Sequence, residues 1–276
     1  MKIVKHSGDI VDFEPEKLRL SLLKSDASPA IVEDILDKIK KELYEGISTK
    51  HIYKRAFLLL KKEANSHAAR YNLRAALQLL GPAGFFFEKY IARLFEAEKY
   101  VTTTNLILQG KCVTHEIDVL IKKDNAIAMI ECKFHSSREA VSDVKIPLYV
   151  LSRFNDLKDR NHMIFSKKDT VSKCWISTNN RFTSDAITFA KCSGLNLLSW
   201  DYPKNNSLKT RNDIDCLYPV TCLTTLSIAE KDKLLFLDVI LVKELVNNSD
   251  ALEKINLSAN RIKNVLKEVR ELCRCA

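Results

Sequence analysis

The pattern of apolar and polar positions divides the chain into three parts. Residues 1–82 predict a short β-hairpin around the turn His6-Ser7-Gly8, followed by four segments with apolar residues at helical spacing. Residues 83–205 predict one helix and then strands alternating with helices, and residues 206–276 read as mostly helical. We therefore expect a mixed α/β chain (α+β overall). It combines a helical bundle bearing a small β-sheet, a mixed β-sheet flanked by helices, and a helical C-terminal segment.

The middle part carries the clearest strand signals. Between strands at Thr114–Ile121 and Ala126–Phe134, Lys123-Asp124-Asn125 provides a hairpin turn. A strand, a helix and a further strand between Lys173 and Trp200 predict a parallel crossover. At the C-terminal end, Ser258–Leu272 has the pattern of a charged amphipathic helix.

Composition excludes some classes of protein. The 276 residues contain no apolar run long enough for a membrane span, and the first residues lack the apolar core of a signal peptide, so we expect a cytoplasmic protein with no membrane partner. The eight cysteines are then expected as reduced thiols. Cys273-Arg274-Cys275 lacks the second pair that a structural zinc site needs. A net charge of +9 permits binding to a polyanion without requiring it.

Charged residues interrupt two apolar strands in the middle part. Strand alternation places Glu131 and Lys133 on one face, after Ile127 and Met129. It places Asp118 on the face opposite Ile117, Val119 and Ile121. A hairpin between the two strands brings Asp118 beside Glu131, and two adjacent carboxylates repel each other unless a cation or a raised pKa relieves them.

Two interpretations of this group remain open. Asp118, Glu131 and the main-chain carbonyl of Cys132 provide the hard oxygen ligands that Mg²⁺ prefers, with Lys133 available to orient a water or offset charge on a phosphate. This set suits phosphodiester hydrolysis. The alternative is an ordinary Glu–Lys ion pair at a strand end with an unrelated surface Asp.

The wider sequence resembles the PD-(D/E)XK nuclease superfamily, in its Mrr-like restriction endonuclease branch. The resemblance rests on Gly84-Phe85-Phe86-Phe87-Glu88, Glu116-Ile117-Asp118 and Ile130-Glu131-Cys132-Lys133, and it extends to about residue 205. It implies that Asp118, Glu131 and Lys133 bind metal and catalyse. It also implies that Glu88 assists with metal or water, although Glu88 borders an apolar helical stripe and suits that position equally well.

Related branches place a Gln on the helix after the acidic-x-Lys strand, and residues 134–173 contain none. Lys145, Tyr149 or Arg153 could serve the pocket from that helix, although a solvated helix face is the simpler expectation for each. His115 is expected to be a packed or surface histidine.

The first 82 residues resemble the ATP-cone, the nucleotide-sensing domain of ribonucleotide reductases. The similar segments include Val4-Lys5-His6-Ser7-Gly8-Asp9, Phe13-Glu14-Pro15-Glu16-Lys17-Leu18 and Gly46-Ile47-Ser48-Thr49. The resemblance implies phosphate contacts from Lys5 and Lys17, with Glu14 and Thr49 near the nucleoside. His6 and Gln78 stand where the family usually has basic residues.

Together these features predict a divalent-metal-dependent endodeoxyribonuclease that uses Mg²⁺ or Mn²⁺. Its partners are DNA and an ATP or dATP effector, and cleavage of both strands would be easiest for a homodimer. The alternatives are a catalytically silent DNA-binding protein and a nucleotide-sensing regulatory protein.

Overall fold

The computed structural model describes residues 1–81, 84–165 and 167–274, and it confirms the mixed α/β class. In the N-terminal part, a three-stranded sheet joins a set of helices. Strand β1 pairs antiparallel with β2 and, on its other side, parallel with the short β3, which the sequence pattern did not indicate. The elements are β1 (Lys2–Val4), β2 (Ile10–Asp12), α1 (Pro15–Leu23), α2 (Pro29–Glu42), β3 (Ile47–Ser48), α3 (Thr49–Glu63), α4 (Asn65–Tyr71) and α5 (Leu73–Leu77).

Local chemistry sets the helix ends here. Proline occupies the first position of α1 and of α2, and the hydroxyls of Ser28 and Ser48 cap α2 and α3. The single fourth helix expected over residues 66–80 is wrong, because Asn72 leaves the helical conformation and separates α4 from α5. Its Oδ1 accepts a hydrogen bond from the Tyr53 hydroxyl at 2.8 Å. Pro82, expected to close that helix, lies outside the described residues.

A five-stranded sheet forms the centre of the molecule, in the order β12-β10-β6-β5-β4. Strands β4, β5 and β6 pair antiparallel, whereas β6, β10 and β12 pair parallel, so the predicted crossover is confirmed. The elements are α6 (Phe85–Ala97), β4 (Val101–Gln109), β5 (Thr114–Lys123), β6 (Ala126–Lys133), β7 (Val141–Ser142), α7 (Lys145–Leu157), β8 (His162–Ile164), β9 (Lys167–Asp169), β10 (Val171–Thr178), β11 (Arg181–Phe182), α8 (Ser184–Cys192) and β12 (Asn196–Leu198).

The C-terminal part is helical. Its longest helix, α13, is held by Glu268, a buried carboxylate that accepts hydrogen bonds from the amides of Thr224 (2.7 Å) and Thr225 (3.0 Å) and from the Thr225 hydroxyl (2.7 Å). The elements are α9 (Leu208–Asp215), a 3₁₀ turn (Val220–Cys222), α10 (Ile228–Phe236), α11 (Glu244–Asn247), α12 (Asp250–Lys254) and α13 (Ala259–Leu272).

Apolar packing covers both faces of the central sheet. Helix α6, the C-terminal helices and the apolar residues of α4 and α5 form one continuous core on the first face. Helices α7 and α8 cover the second face. A third core lies within the N-terminal part, under its small sheet. The C-terminal part therefore contributes to the same core as the sheet that carries the candidate catalytic residues.

Strand β6 follows the predicted alternation and β5 departs from it. Ile127 and Met129 pack in the second core, and Ala128 and Ile130 pack in the first, as expected. In β5, Val119 and Ile121 face the first core, but Ile117 packs in the second, so the expectation that these three share a face is wrong. The alternation breaks at Asp118. On the paired strand β4, Asn105 has a left-handed backbone (φ 55°), which disturbs the pleat at this level.

The thiol expectation needs one correction. Among the described residues, the free cysteines are Cys112, Cys132, Cys174, Cys192, Cys222 and Cys273. Cys216 is disulfide-bonded, so the expectation of reduced thiols throughout is wrong. Cys275 lies outside the described residues. No helix within the described ranges is both long and apolar enough to cross a bilayer.

Candidate active site

The candidate catalytic residues meet where β5 and β6 separate. The two strands pair from Lys123↔Ala126 to Val119↔Ile130, and β6 continues alongside β10 as far as Lys133. At the point of separation, Asp118 turns its carboxylate towards β6, and Oδ2 accepts a hydrogen bond from the Cys132 amide at 2.7 Å. The structure therefore places Asp118 next to the strand end that carries Glu131 and Lys133, as the hairpin predicted.

Glu131 is the buried centre of the group, with a side chain only 5% exposed. Its Oε1 accepts a hydrogen bond from Lys133 Nζ at 2.8 Å, and its Oε2 accepts one from the Arg153 guanidinium of α7. Arg153 also donates to the main-chain carbonyl of Glu116 on β5. Both charged donors lie near the ring of Tyr149, at 5.8 Å for Lys133 Nζ and 5.5 Å for Arg153 Cζ. Two cations thus hold one carboxylate in a fixed orientation.

Negative charge accumulates beside this carboxylate. Burial, and secondly the nearby Glu131, raises the pKa of Asp118 from 3.8 to about 6, against the opposing effects of the Cys132 amide, Lys133 and Arg153. A raised carboxyl pKa means that the ionised form is destabilised where it stands. A cation in contact with Asp118 and Glu131 would relieve that cost.

Glu88 belongs to the same electrostatic group. It lies half-buried in the first turn of α6, four residues after Gly84, whose left-handed backbone (φ 88°) precedes the helix. Burial, and then the charges of Asp118, Glu116 and Glu131, raise the pKa of Glu88 from 4.5 to about 7, against the lowering effect of Lys133. These charge effects indicate that Glu88 lies in the electrostatic field of the three strand carboxylates, and its position in the first turn of α6 also borders the apolar stripe.

The ligands available for a divalent ion are oxygen atoms. In the part of the chain that the structure describes, no group of three or more His, Cys, Asp or Glu side chains is arranged to hold a metal. The candidate donors are the two carboxylates of Asp118 and Glu131 together with main-chain oxygen such as that of Cys132. Such a set suits Mg²⁺, which commonly binds one or two carboxylates and completes its shell with water.

Of the other candidates on or near α7, Arg153 and Tyr149 reach the site. Lys145 lies exposed at the start of the helix. His115 is packed, as expected: its Nε2 lies 2.8 Å from Asp156 Oδ2. Asp156 also accepts the Cys112 amide at 2.8 Å, so the pair fixes the β4–β5 turn against α7.

Sequence reasoning missed the residues that secure the segment leaving β6. The side chain of Asn179, after β10, accepts from the His135 amide and donates to the His135 carbonyl, both at 2.8 Å. Asn180 donates to the Ala140 carbonyl at 2.8 Å. Four consecutive polar residues, 177–180, are buried at this strand end. A polar run directly after an apolar strand was the available signal.

The residues singled out for nucleotide binding line a single cavity of about 260 Å³ in the N-terminal part, here called the N-terminal cavity. Lys5, Glu14, Lys17 and Thr49 all border it, and Lys17 Nζ lies 2.6 Å from Glu14 Oε1. The rings of Tyr53 and Tyr71, which stack with centroids 4.8 Å apart, complete one wall. The cavity thus combines apolar surface with two lysines and two carboxylates, those of Asp12 and Glu14. Of the two departures from the family pattern, His6 lies beside the loop after β6, and Gln78 accepts a hydrogen bond from Arg138 of that loop.

Comparison with known proteins identifies the middle and C-terminal parts. A family model described as restriction endonuclease matches residues 82–202, and a model described as AF1548-like, C-terminal, matches residues 218–273. An uncharacterized protein of Archaeoglobus fulgidus is 32% identical over 183 residues, which make up 66% of this chain and 99% of that protein. The chain belongs to the AF1548-like family.

A solved structure agrees with this assignment. The crystal structure of AF1548, a protein of unknown function, matches with a TM-score of 0.57 and 30% identity, covering 68% of this chain and 97% of that chain. In this AF1548-like chain, the resemblance to Mrr-like restriction endonucleases is confirmed, and Asp118, Glu131 and Lys133 all lie within the matched range. Both family matches begin after residue 81, so the N-terminal cavity lies outside them.

Proposed function

We propose that this protein is a divalent-metal-dependent endonuclease that hydrolyses phosphodiester bonds of DNA at the Asp118–Glu131–Lys133 group. The observation that carries the proposal is the meeting of these three side chains at the strand separation, inside a domain matched by a restriction endonuclease model. The net charge of +9 favours a polyanionic substrate.

The site has ligands for Mg²⁺ or Mn²⁺ and a reason to bind them. Asp118, Glu131 and the main-chain carbonyl of Cys132 would hold the ion. Burial, and secondly repulsion from Glu131, raises the pKa of Asp118, and a cation would relieve that cost. When bound, the ion supplies polarisation of the phosphate and a lowered pKa for a coordinated water. Restriction endonuclease-like domains generally use divalent metals.

The protein side chains take the remaining roles. The Lys133 side chain is 30% exposed, and its ammonium, beside Glu131, would contact a phosphate oxygen as negative charge develops there. Arg153 keeps Glu131 oriented through the charged hydrogen bond. Glu88, whose pKa of about 7 lies near neutral pH, accepts a proton from the attacking water at its carboxylate.

A cleavage assay with Lys133→Met tests this assignment. Arg153 still neutralises Glu131 in this variant, so the fold should survive. We expect the wild type to nick or linearise supercoiled plasmid in the presence of Mg²⁺ or Mn²⁺. Addition of EDTA should stop this cleavage. We expect Lys133→Met to be slower by about 100-fold, the usual effect of removing one stabilising donor. Lys111→Met, at an exposed loop position, is the matched control and should cleave normally.

The same assay examines the alternative of a DNA-binding protein that does not cut. Both oxygens of Glu131 accept hydrogen bonds from cations, which is the observation that favours it. Salt-dependent DNA binding without cleavage in either metal would support that alternative and contradict the nuclease proposal.

We further propose that the N-terminal cavity binds a nucleotide such as ATP or dATP and regulates cleavage. All four residues implied by the ATP-cone resemblance border this one cavity, which supports the proposal. Calorimetric titration with ATP should show binding to the wild type and weaker binding to Lys5→Ala. The control Lys38→Ala, on the outer face of α2, should bind normally. Absence of binding to the wild type at millimolar ATP would refute the proposal.

A further inference from the structure

A second cavity, of about 560 Å³, lies between the N-terminal part and the loop that leaves β6. We call it the junction cavity. Thr49, Lys50 and Tyr53 of α3 form one wall, and Ser136, Ser137 and Arg138 of the loop form the other. Because Thr49 and Tyr53 also line the N-terminal cavity, the two spaces are neighbours.

The lining of the junction cavity suits an anion with several oxygen atoms. Lys50 and Arg138 bring positive charge from opposite walls, and the hydroxyls of Thr49 and Ser136 can donate hydrogen bonds. The carboxylate on the wall, Glu139, is already bonded to His6 Nδ1 (3.2 Å) and to the Ser137 hydroxyl (2.6 Å). The cavity also adjoins the N-terminal end of α3, a helix of 15 residues whose dipole favours negative charge.

Arg138 is held over the ring of Tyr53, a residue that lines both cavities. Its Nε donates to Gln78 Oε1 at 3.1 Å, and its guanidinium carbon lies 5.3 Å from the centre of the Tyr53 ring. Tyr53 stacks in turn on Tyr71, which lines the N-terminal cavity. The main-chain carbonyl of Arg138 accepts a hydrogen bond from Arg74 at 3.2 Å. A ligand that leaves the N-terminal cavity past Tyr53 would therefore meet this guanidinium.

The loop that carries Arg138 is also tied to the sheet. It begins directly after Lys133, and the side chains of Asn179 and Asn180 bond its main chain at His135 and Ala140. A ligand held by Arg138 would thus contact the segment that continues from the candidate catalytic strand.

We propose that the junction cavity binds the outer phosphates of a nucleotide whose base, sugar and first phosphate occupy the N-terminal cavity, beside Lys5 and Lys17. This inference rests on the nucleotide-binding proposal above. Lys50 contacts these phosphates from the α3 wall, and Arg138 contacts them from the loop wall. The restriction endonuclease part therefore supplies half of the phosphate site. The nucleotide then bridges the N-terminal part and the loop that follows Lys133.

Calorimetric titration of the full chain with three probes tests the proposal: ATP, adenosine and inorganic tripolyphosphate. We expect Arg138→Ala and Lys50→Ala each to weaken ATP binding by about tenfold, the loss of one charged hydrogen bond, and to leave adenosine binding unchanged. Tripolyphosphate should bind the wild type and compete with ATP. Lys54→Ala, exposed one turn further along α3, should bind ATP as the wild type does.

The outcomes separate the two proposals. A wild type that binds neither ATP nor adenosine overturns nucleotide binding and the junction site together. A wild type that binds ATP, with both variants binding it equally tightly, overturns the junction site alone. Tripolyphosphate that fails to compete with ATP also overturns it. Because Lys50 is exposed, its variant should fold even if Arg138→Ala does not.

Discussion

Replacing Glu88 by Gln should stabilise the protein at neutral and alkaline pH. The carboxyl is half-buried among negative charges, and its pKa rises from 4.5 to about 7. Below pH 4.5 the Glu88 carboxyl is protonated in both the folded and the unfolded chain, so it does not lower the free energy of unfolding. Between pH 4.5 and about pH 7 the carboxyl ionises in the unfolded chain while it stays protonated in the folded protein. The free energy of unfolding therefore falls as the pH rises through this range. Above about pH 7 the folded protein carries the full cost, which Gln avoids.

The size of the effect follows from the pKa difference. One pKa step corresponds to about 1.4 kcal/mol, so a rise from 4.5 to about 7 sets an upper limit near ~3 kcal/mol. Partial exposure allows water to screen the charge, which reduces the expected gain in unfolding free energy to about 1–2 kcal/mol above pH 7. The gain should disappear towards pH 4.5.

Urea unfolding followed by circular dichroism, in buffer containing EDTA, measures this difference at several pH values. Glu63→Gln, at an exposed helix end, is the matched control and should show no such pH dependence. If the gain in unfolding free energy from Glu88→Gln is equal at all pH values, or largest in acid, the assignment of Glu88 to the group of Asp118 and Glu131 is refuted.

Three further results are expected. Arg153→Met should lower the unfolding free energy by about 2 kcal/mol, because the buried Glu131 loses a charged hydrogen bond. An unchanged urea midpoint would contradict the role given to Arg153. Glu268→Ala should lower the unfolding free energy by about 3 kcal/mol, since the amides of Thr224 and Thr225 lose their acceptor. A loss below ~0.5 kcal/mol would contradict the proposed role of Glu268 in holding α13. Millimolar Mg²⁺ should raise the thermal midpoint of the wild type by binding the folded state, and no shift would speak against a cation site.

Much of the sheet was predictable because alternate residues of a strand face opposite sides of the sheet, and their residue types differ accordingly in the sequence. The faces of β6 follow from its residue types, and the hairpin at Asp124 brings Asp118 to the end of β6. The break of alternation at Ile117 was not predictable. It lies opposite a left-handed backbone at Asn105 on the paired strand, and the residues of β5 alone do not reveal such a feature of its neighbour.

The parts of the site that come from distant elements were the hardest to foresee. Arg153 looks like any charged residue of a solvated helix until α7 packs across the strands and places it against Glu131. Asn179 bonds the His135 main chain only because β10 and β6 lie side by side. The disulfide at Cys216 depends on tertiary proximity, which residue spacing does not reveal.

The rate of plasmid cleavage by Asp118→Asn, beside the wild type in Mg²⁺, tests the nuclease proposal most directly. The Asn carbonyl can still accept the hydrogen bond from the Cys132 amide, so the substitution removes the charge and keeps the local structure. The account predicts cleavage by the wild type and a loss of about 100-fold or more in the variant, with Asp124→Asn in the hairpin turn at the far end of the β5–β6 pairing cleaving normally. Equal cleavage by Asp118→Asn and wild type, or no cleavage by the wild type in Mg²⁺ or Mn²⁺, would contradict it.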